Sequence, residues 1–161
     1  MAIRLGQLRE KSWRRITAGV EFLMRPASSI EIEHARAEVR EKIRQLHAGV
    51  AVFKAIGLPV PSEAQLKDPN FLLGLTEWMI AAELAALLVD DWRGVLGDGD
   101  QPAPISKDGL ADLLRIGAVM QAFEREAYAL EELVRTEGKG SPLPQNGLGA
   151  EAAPTAQAAV H

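Results

Sequence analysis

The chain has 161 residues, of which 47% are apolar, 25% charged and 5% aromatic, with a net charge of −4. This is the composition of one ordinary globular domain with a mainly aliphatic core. The lack of cysteine excludes disulfides and thiolate metal sites. The first residues lack the apolar stretch of a secretory signal, and no apolar run reaches the ~18 residues of a membrane span. We therefore expect a cytoplasmic protein outside any membrane.

A β element is predicted first. From Ile16 to Met24, apolar side chains alternate with mainly polar ones, and this period of two is typical of a half-buried strand. Gly19 marks a bulge or a tight bend, and Pro26 ends the strand because proline cannot donate to a ladder. Since a lone strand is not stable, we expect a partner strand at about residues 3–8 or in a second molecule.

A long first helix is predicted over residues 28–57. Ser28 and Glu31 fit a capping box, in which each side chain bonds the other residue's backbone N–H. Apolar residues then follow at spacings of three and four, so the helix has one apolar face. Glu38 and Lys42 are one turn apart on the opposite face and can pair there.

Two more helices and a tail follow. Asn70 begins a second helix over residues 71–89, which is apolar nearly all round and is therefore predicted to be the central, buried one. Ser106 caps a third helix with an apolar seam over residues 110–134. From Gly138 onward, one Lys, one Glu and no aromatic residue cannot support a core, so we predict a disordered tail.

Together these elements predict a mainly α-helical protein, with a three-helix core, a small N-terminal β element and a disordered C-terminal tail. The first and third helices are expected to pack against the apolar second one. The predicted divisions are an N-terminal arm and β element at residues 1–27, a helical domain at 28–137 and the tail at 138–161.

The sequence contains no pattern typical of an enzyme. His34, His47 and His161 lack the spacing of a metal motif, and each is interpreted as solvated or packed on a helix. Neither a phosphate-binding glycine loop nor a serine-nucleophile motif occurs. The stretch that begins at Asp98 has glycine at its twelfth position, where a calcium-binding EF-hand loop has Glu. We predict no catalytic, cofactor-binding or metal-binding residue and no small-molecule substrate.

Charge is distributed unevenly along the chain. Residues 1–25 hold six Lys and Arg against two Glu, whereas residues 83–137 hold five Lys and Arg against twelve Asp and Glu. Such asymmetry can steer association between copies or with a partner, although charged faces also serve only to keep proteins soluble. The basic arm at residues 4–15 is compatible with nucleic acid, but a strand edge guarded by charge is the preferred interpretation.

Trp92 stands where the second helix ends, before a run rich in Gly, Asp and Pro. A large ring there can cover the helix terminus while its N–H finds a carbonyl oxygen, whereas Trp78 is assigned to core packing. We predict that Trp92 holds the corner between the second and third helices and that the run after it is exposed. A docking surface at the same corner is the alternative. The candidate partner-binding residues are Asp91, Trp92, Arg93, Asp98 and Asp100.

The corner also carries a family resemblance. Residues 90–114, "DDWRGVLGDGDQPAPISKDGLADLL", combine an Asp-Trp-x-Gly-Val run, a Gly/Asp turn, P-x-P-x-S and a leucine-rich helix. Residues 137–147, "EGKGSPLPQNG", resemble an "EGN…SPSPNG" ending, with Lys139 where Asn is usual, and residues 25–39 have a matching layout. Over about residues 20–147 the chain resembles the tail assembly chaperones of long-tailed phages, prophages and gene-transfer-agent-like elements.

The resemblance implies a function without catalysis. Such chaperones bind the tape measure protein and recruit tail tube subunits in the host cytoplasm, then leave before the virion is complete. They are often made in two lengths by ribosomal frameshifting. Two alternatives remain: a nucleic-acid-associated phage protein that uses the basic arm, and a bacterial helical adaptor unrelated to phage. Self-association is a further option.

Overall fold

A computed structural model describes residues 10–48 and 58–138 of the chain. Within these ranges the protein is mainly α-helical with a small antiparallel sheet, which confirms the predicted class. Three predictions lie outside the described residues: the pairing segment at residues 3–8, the end of the first helix at residue 57 and the tail from residue 139 onward.

The N-terminal β element is a hairpin, so the prediction of one strand was wrong. Strand β1 is Ser12–Thr17 and strand β2 is Val20–Met24, and they pair antiparallel. Gly19 has a φ of +96° in the turn between them, a conformation that suits glycine, so the predicted tight bend is confirmed. Because apolar residues keep alternating across this turn, the sequence pattern does not reveal the break.

A third strand, β3, was not predicted. It is Val89–Arg93, it follows the second long helix without a loop, and it pairs antiparallel with β2 in the order β1-β2-β3. Val89, predicted to be helical, instead has extended backbone with φ −99° and ψ 118°. A shift in register between Leu23 and Met24 lets Val89 and Trp92 both reach the core.

Helix α1 is Ser29–Ala48, and its predicted capping box is confirmed. The backbone N–H of Ser28 donates to the Glu31 carboxylate at 2.9 Å, and the Glu31 N–H donates to the Ser28 hydroxyl oxygen at 3.3 Å. Arg25 also binds this carboxylate, and mainly through that hydrogen bond the pKa of Glu31 falls to about 2.

Two helices follow the segment that is not described. Helix α2, Glu63–Lys67, lies between the first and second predicted helices, where no helix was predicted. Helix α3, Pro69–Leu88, begins slightly earlier than predicted, because Asp68 is its N-cap and accepts a hydrogen bond from the Asn70 N–H at 2.9 Å. Proline is well suited to the first helical position, because the N–H that it lacks would have no hydrogen-bond partner within the helix.

The predicted third helix is divided into three pieces. These are α4, Lys107–Leu113, α5, Gly117–Ala127, and α6, Ala129–Gly138. The predicted Ser106 cap is confirmed by a hydrogen bond from the Gly109 N–H to its hydroxyl at 3.0 Å. The prediction of one continuous helix was wrong, because Ile116 has an extended backbone with φ −80° and ψ 110°. As a result, Leu114 is buried while Ile116 faces solvent.

The core forms around the C-terminal half of α3. Leu84 and Leu88 are fully buried there, together with Phe22 of the sheet and Phe123 of α5, whose rings lie 6.4 Å apart. The N-terminal half is different, since Leu73 is 61% exposed. The prediction of a buried second helix therefore holds for only half of it.

By length and composition alone, α3 is apolar enough to cross a membrane, and it is the one such helix among the described residues. This corrects the expectation that no apolar run is long enough. The core helix of a soluble protein passes the same test, and the C-terminal half of α3 has that position here.

Candidate partner-binding corner

Trp92 forms the base of the corner between β3 and α4. Its residue surface is only 7% exposed, and its indole N–H donates to the Ala103 carbonyl oxygen at 2.7 Å. The predicted carbonyl partner is therefore confirmed. The ring also lies against Gly109 in the first turn of α4, so it joins the sheet to that helix. At 7% exposure, Trp92 offers only a small part of its surface to a partner, on the side where it lines a groove described below.

Two glycines let the chain approach itself closely at this base. Gly94 has a φ of +78°, and a Cβ built there would lie 1.6 Å from the Gly19 carbonyl oxygen in the β1–β2 turn. A Cβ on Gly109 would lie 2.6 Å from the Trp92 ring. Neither position has room for a side chain unless its neighbours move.

After Gly94 the chain forms a short loop, residues 95–103, whose two legs are joined by backbone hydrogen bonds. The Ala103 N–H donates to the Val95 carbonyl oxygen at 3.0 Å, and the Gly97 N–H donates to the Gln101 carbonyl oxygen at 2.8 Å. The tip turns through Gly99 and Asp100, with φ values of +76° and +58°. Aspartate is one of the few residues that tolerate this region.

The tip is exposed, as predicted. Asp98 and Asp100 both face solvent, and neither carboxylate has an ion-pair partner in the part of the chain that the structure describes. The prediction that they bind a partner stays a prediction, but they are accessible to one.

Asp91 and Arg93 lie apart from both the base and the tip, on the face of the sheet away from the core. The Arg93 guanidinium lies 3.7 Å from the centre of the Trp13 ring and 4.0 Å from the Glu21 carboxylate. Asp91 is exposed and accepts a hydrogen bond from the Trp92 backbone N–H at 2.8 Å. The five candidate residues are thus divided among a buried base, an outer sheet face and a loop tip.

An apolar groove of about 360 Å³ lies between the loop and α4, and we call it the corner groove. Leu96 and Ile116 line it and are 58% and 55% exposed. Sequence reasoning missed both residues. An apolar Leu96 inside a Gly/Asp-rich turn was the available signal, whereas Ile116 had been assigned to a buried seam.

A second, larger groove of about 600 Å³ lies beside the N-terminal half of α3, and we call it the α3 groove. Trp78 is half-buried in its wall, and its indole N–H donates to the Ala111 carbonyl oxygen of α4 at 2.9 Å. Gly74 also lines the groove and faces open space. Its other lining residues are mainly apolar and include Leu58, Val60, Phe71, Leu75 and Met120.

An ion-pair cluster ties the start of α4 to two other helices. Glu83 of α3 accepts hydrogen bonds from Lys42 of α1 and, at 3.3 Å, from Lys107 of α4. Burial alone would raise the pKa of Glu83, but these two lysines bring it below its usual value. The predicted pair between Glu38 and Lys42 was wrong, because Lys42 extends to the neighbouring helix.

Among the described residues, no group of three or more His, Asp or Glu side chains is placed to hold a metal ion. His34 is exposed on α1, whereas the side chain of His47 and all of His161 lie outside what the structure describes.

Comparison of the chain with known protein families, with curated proteins and with solved structures finds no match. A function is therefore proposed from the sequence resemblance together with the geometry of the corner and its grooves.

Proposed function

We propose that this protein is a non-enzymatic tail assembly chaperone of a phage or prophage, which binds the tape measure protein and recruits tail tube subunits in the host cytoplasm. The carrying observation is the construction of the corner. The segment that bears the resemblance contains four residues with a structural task, namely Trp92, Gly94, Ser106 and Gly109. Together they position an exposed acidic tip beside an apolar groove.

Accessible apolar surface supports this role. A chaperone of a long helical partner needs grooves that receive apolar side chains and several weak contacts that act together. The corner groove and the α3 groove lie on the two sides of the turn at residues 114–116, with Ile116 lining the first and Arg115 the second. Two neighbouring grooves suit two successive stretches of one partner, or two different partners.

The nucleic-acid alternative has less support. In the described part of the basic arm, Lys11 pairs with Asp90, and Arg14 lies 3.8 Å from Glu126 of α5. Arg15 is exposed and has no ion-pair partner among the described residues. Charges that are already paired within the chain contribute little to binding phosphates, since that contact depends on available cations.

Gene order and co-purification test the proposal. We expect genes for a tail tube protein and a long helical tape measure protein beside this one, with an overlapping reading frame at its end. Co-expressed with those two proteins, the chain should co-purify with both. An adaptor unrelated to phage would lack these neighbours. Absence of tail genes, or failure to retain either protein, would refute the assignment.

A paired set of variants tests the corner itself. Asp98→Asn with Asp100→Asn should weaken retention of the tail proteins while leaving the circular dichroism spectrum unchanged. The matched control is Glu38→Gln with Glu41→Gln, which removes two exposed carboxylates from α1. Equal losses for both pairs would indicate a general charge effect. Retention of DNA that depends on Arg15 would favour the nucleic-acid alternative instead.

A further inference from the structure

We propose that the corner groove binds a basic amphipathic helix of the partner protein, with apolar side chains in the groove and Lys or Arg side chains beside the surrounding aspartates. This rests on the proposed function, because the tape measure or tail tube protein would supply that helix.

The floor and sides of the groove determine the apolar part of the partner. Ala103, Pro104 and Leu113 line it together with the exposed Leu96 and Ile116. Apolar side chains at helical spacing dock into such a groove as a row of anchors. A purely polar segment would leave these apolar surfaces exposed to water, so its binding would gain no free energy from burying them.

Four exposed aspartates near the groove determine the charge. Asp98 and Asp100 stand at the loop tip, while Asp108 and Asp112 lie one turn apart on α4, with Asp112 lining the groove. Asp112 pairs with Arg115 at 3.3 Å, and that exposed pair contributes little. The other three have no ion-pair partner among the described residues.

The cations near the groove do not cancel this acidity. Lys107 is paired with Glu83 of α3, and Arg93 lies over the Trp13 ring on the outer face of the sheet. An acidic partner would therefore be repelled, whereas Lys or Arg beside an apolar stripe would be attracted. Charge complementarity of this kind determines which partner binds and how fast.

Contacts at the base of the corner hold the walls of the groove together. Trp92 and Gly109 lie in its wall and are in contact with each other, and the Ala103 carbonyl accepts the indole N–H. Docking onto a surface that is already ordered avoids the entropy cost of ordering it. The α3 groove provides an internal comparison, because Arg115 is the only charged residue that lines it among the described residues.

Two synthetic helical peptides test the inference. Both have the same length and the same leucine stripe, but one has Lys and the other Glu at the flanking positions. Titrated against the full chain by fluorescence anisotropy at low salt, the Lys peptide should bind about tenfold more tightly than the Glu peptide. High salt should reduce the difference, since it screens exposed charges. Equal affinities, or no binding of either peptide, would overturn the inference.

Variants then assign the preference to this groove. Asp98→Asn, Asp100→Asn and Asp108→Asn together should remove the preference for Lys, because the Lys peptide loses its attraction to these carboxylates and the Glu peptide is no longer repelled by them. Ile116→Ser should weaken the binding of both peptides, whereas Leu73→Ser, at an exposed apolar position on α3, should change the binding of neither. A preference that survives the triple Asn variant, or that Leu73→Ser removes, contradicts the assignment.

The remaining outcomes separate this inference from the proposed function. If the chain retains the tape measure or tail tube protein but does not prefer the Lys peptide, the proposed function is supported and the groove assignment is refuted. If the chain prefers the Lys peptide but retains neither tail protein, the groove assignment is supported and the phage function is refuted. If a peptide of the chain's own residues 1–15 binds more tightly than the Lys peptide, a second copy is the occupant and the inference of a separate partner is wrong.

Discussion

The base and the tip of the corner lie within one short stretch of sequence but have opposite properties. At the base, Trp92 is buried, and neither Gly94 nor Gly109 could carry a side chain unless its neighbours moved. At the tip, Asp98 and Asp100 contact solvent. At this corner, the residues at the base that carry the family resemblance have structural tasks, whereas the side chains at the tip are the ones accessible to a partner.

The largest expected effect is at the base. Trp92→Ala should lower the free energy of unfolding by about 3–5 kcal/mol, the usual result of truncating a buried large aromatic residue. Urea or thermal unfolding followed by circular dichroism would measure it. If the variant melts like the parent but no longer retains a tail protein, Trp92 is a contact residue and the distinction between base and tip is wrong.

A pair of glycine substitutions tests the close packing at the base. Gly109→Ala should destabilise by about 2 kcal/mol, because the new Cβ would push against the Trp92 ring. The matched control is Gly74→Ala in α3, which faces open space and should stabilise the helix by about 0.5–1 kcal/mol. Denaturant midpoints of the two variants should therefore move in opposite directions. A shift in the same direction would show that Gly109 has no special packing role.

Glu83 provides a pH-dependent test of how the start of α4 is held. Its pKa is lower in the folded protein than its ordinary 4.5, so its contribution is present above that pH and is lost as the pH falls below it. Glu83→Gln should cost about 1 kcal/mol at neutral pH, allowing for solvent screening, and progressively less in acid. Urea unfolding of both proteins at several pH values checks this. A cost that does not vary with pH would contradict it.

The smallest effect on stability is expected at the tip. Asp98→Asn with Asp100→Asn should change the free energy of unfolding by less than about 0.5 kcal/mol, as is usual for exposed positions. Asn also tolerates the positive φ of residue 100. The same variant should lose much of its retention of tail proteins. A large loss of stability would mean that the tip belongs structurally to the base.

The sequence alone determined the features that depend on neighbouring residues. The capping box at Ser28 and Glu31, the cap at Ser106 and the exposed Asp98 tip were all predicted, and the structure bears them out. Each follows from bonds or backbone preferences within a few positions, which a sequence displays directly. The resemblance to tail assembly chaperones also comes from the sequence and stays a proposal.

Only the tertiary structure decided where distant segments meet. Strand β3 exists because β2 offers it an edge, Lys42 extends to Glu83 on another helix, and the break at Ile116 lets α5 pack separately from α4. The amphipathic period continues through that break and through the Gly19 turn, so periodicity cannot locate either one. The grooves share this origin, because a groove is the space between elements that are far apart in the chain and no local pattern encodes that space.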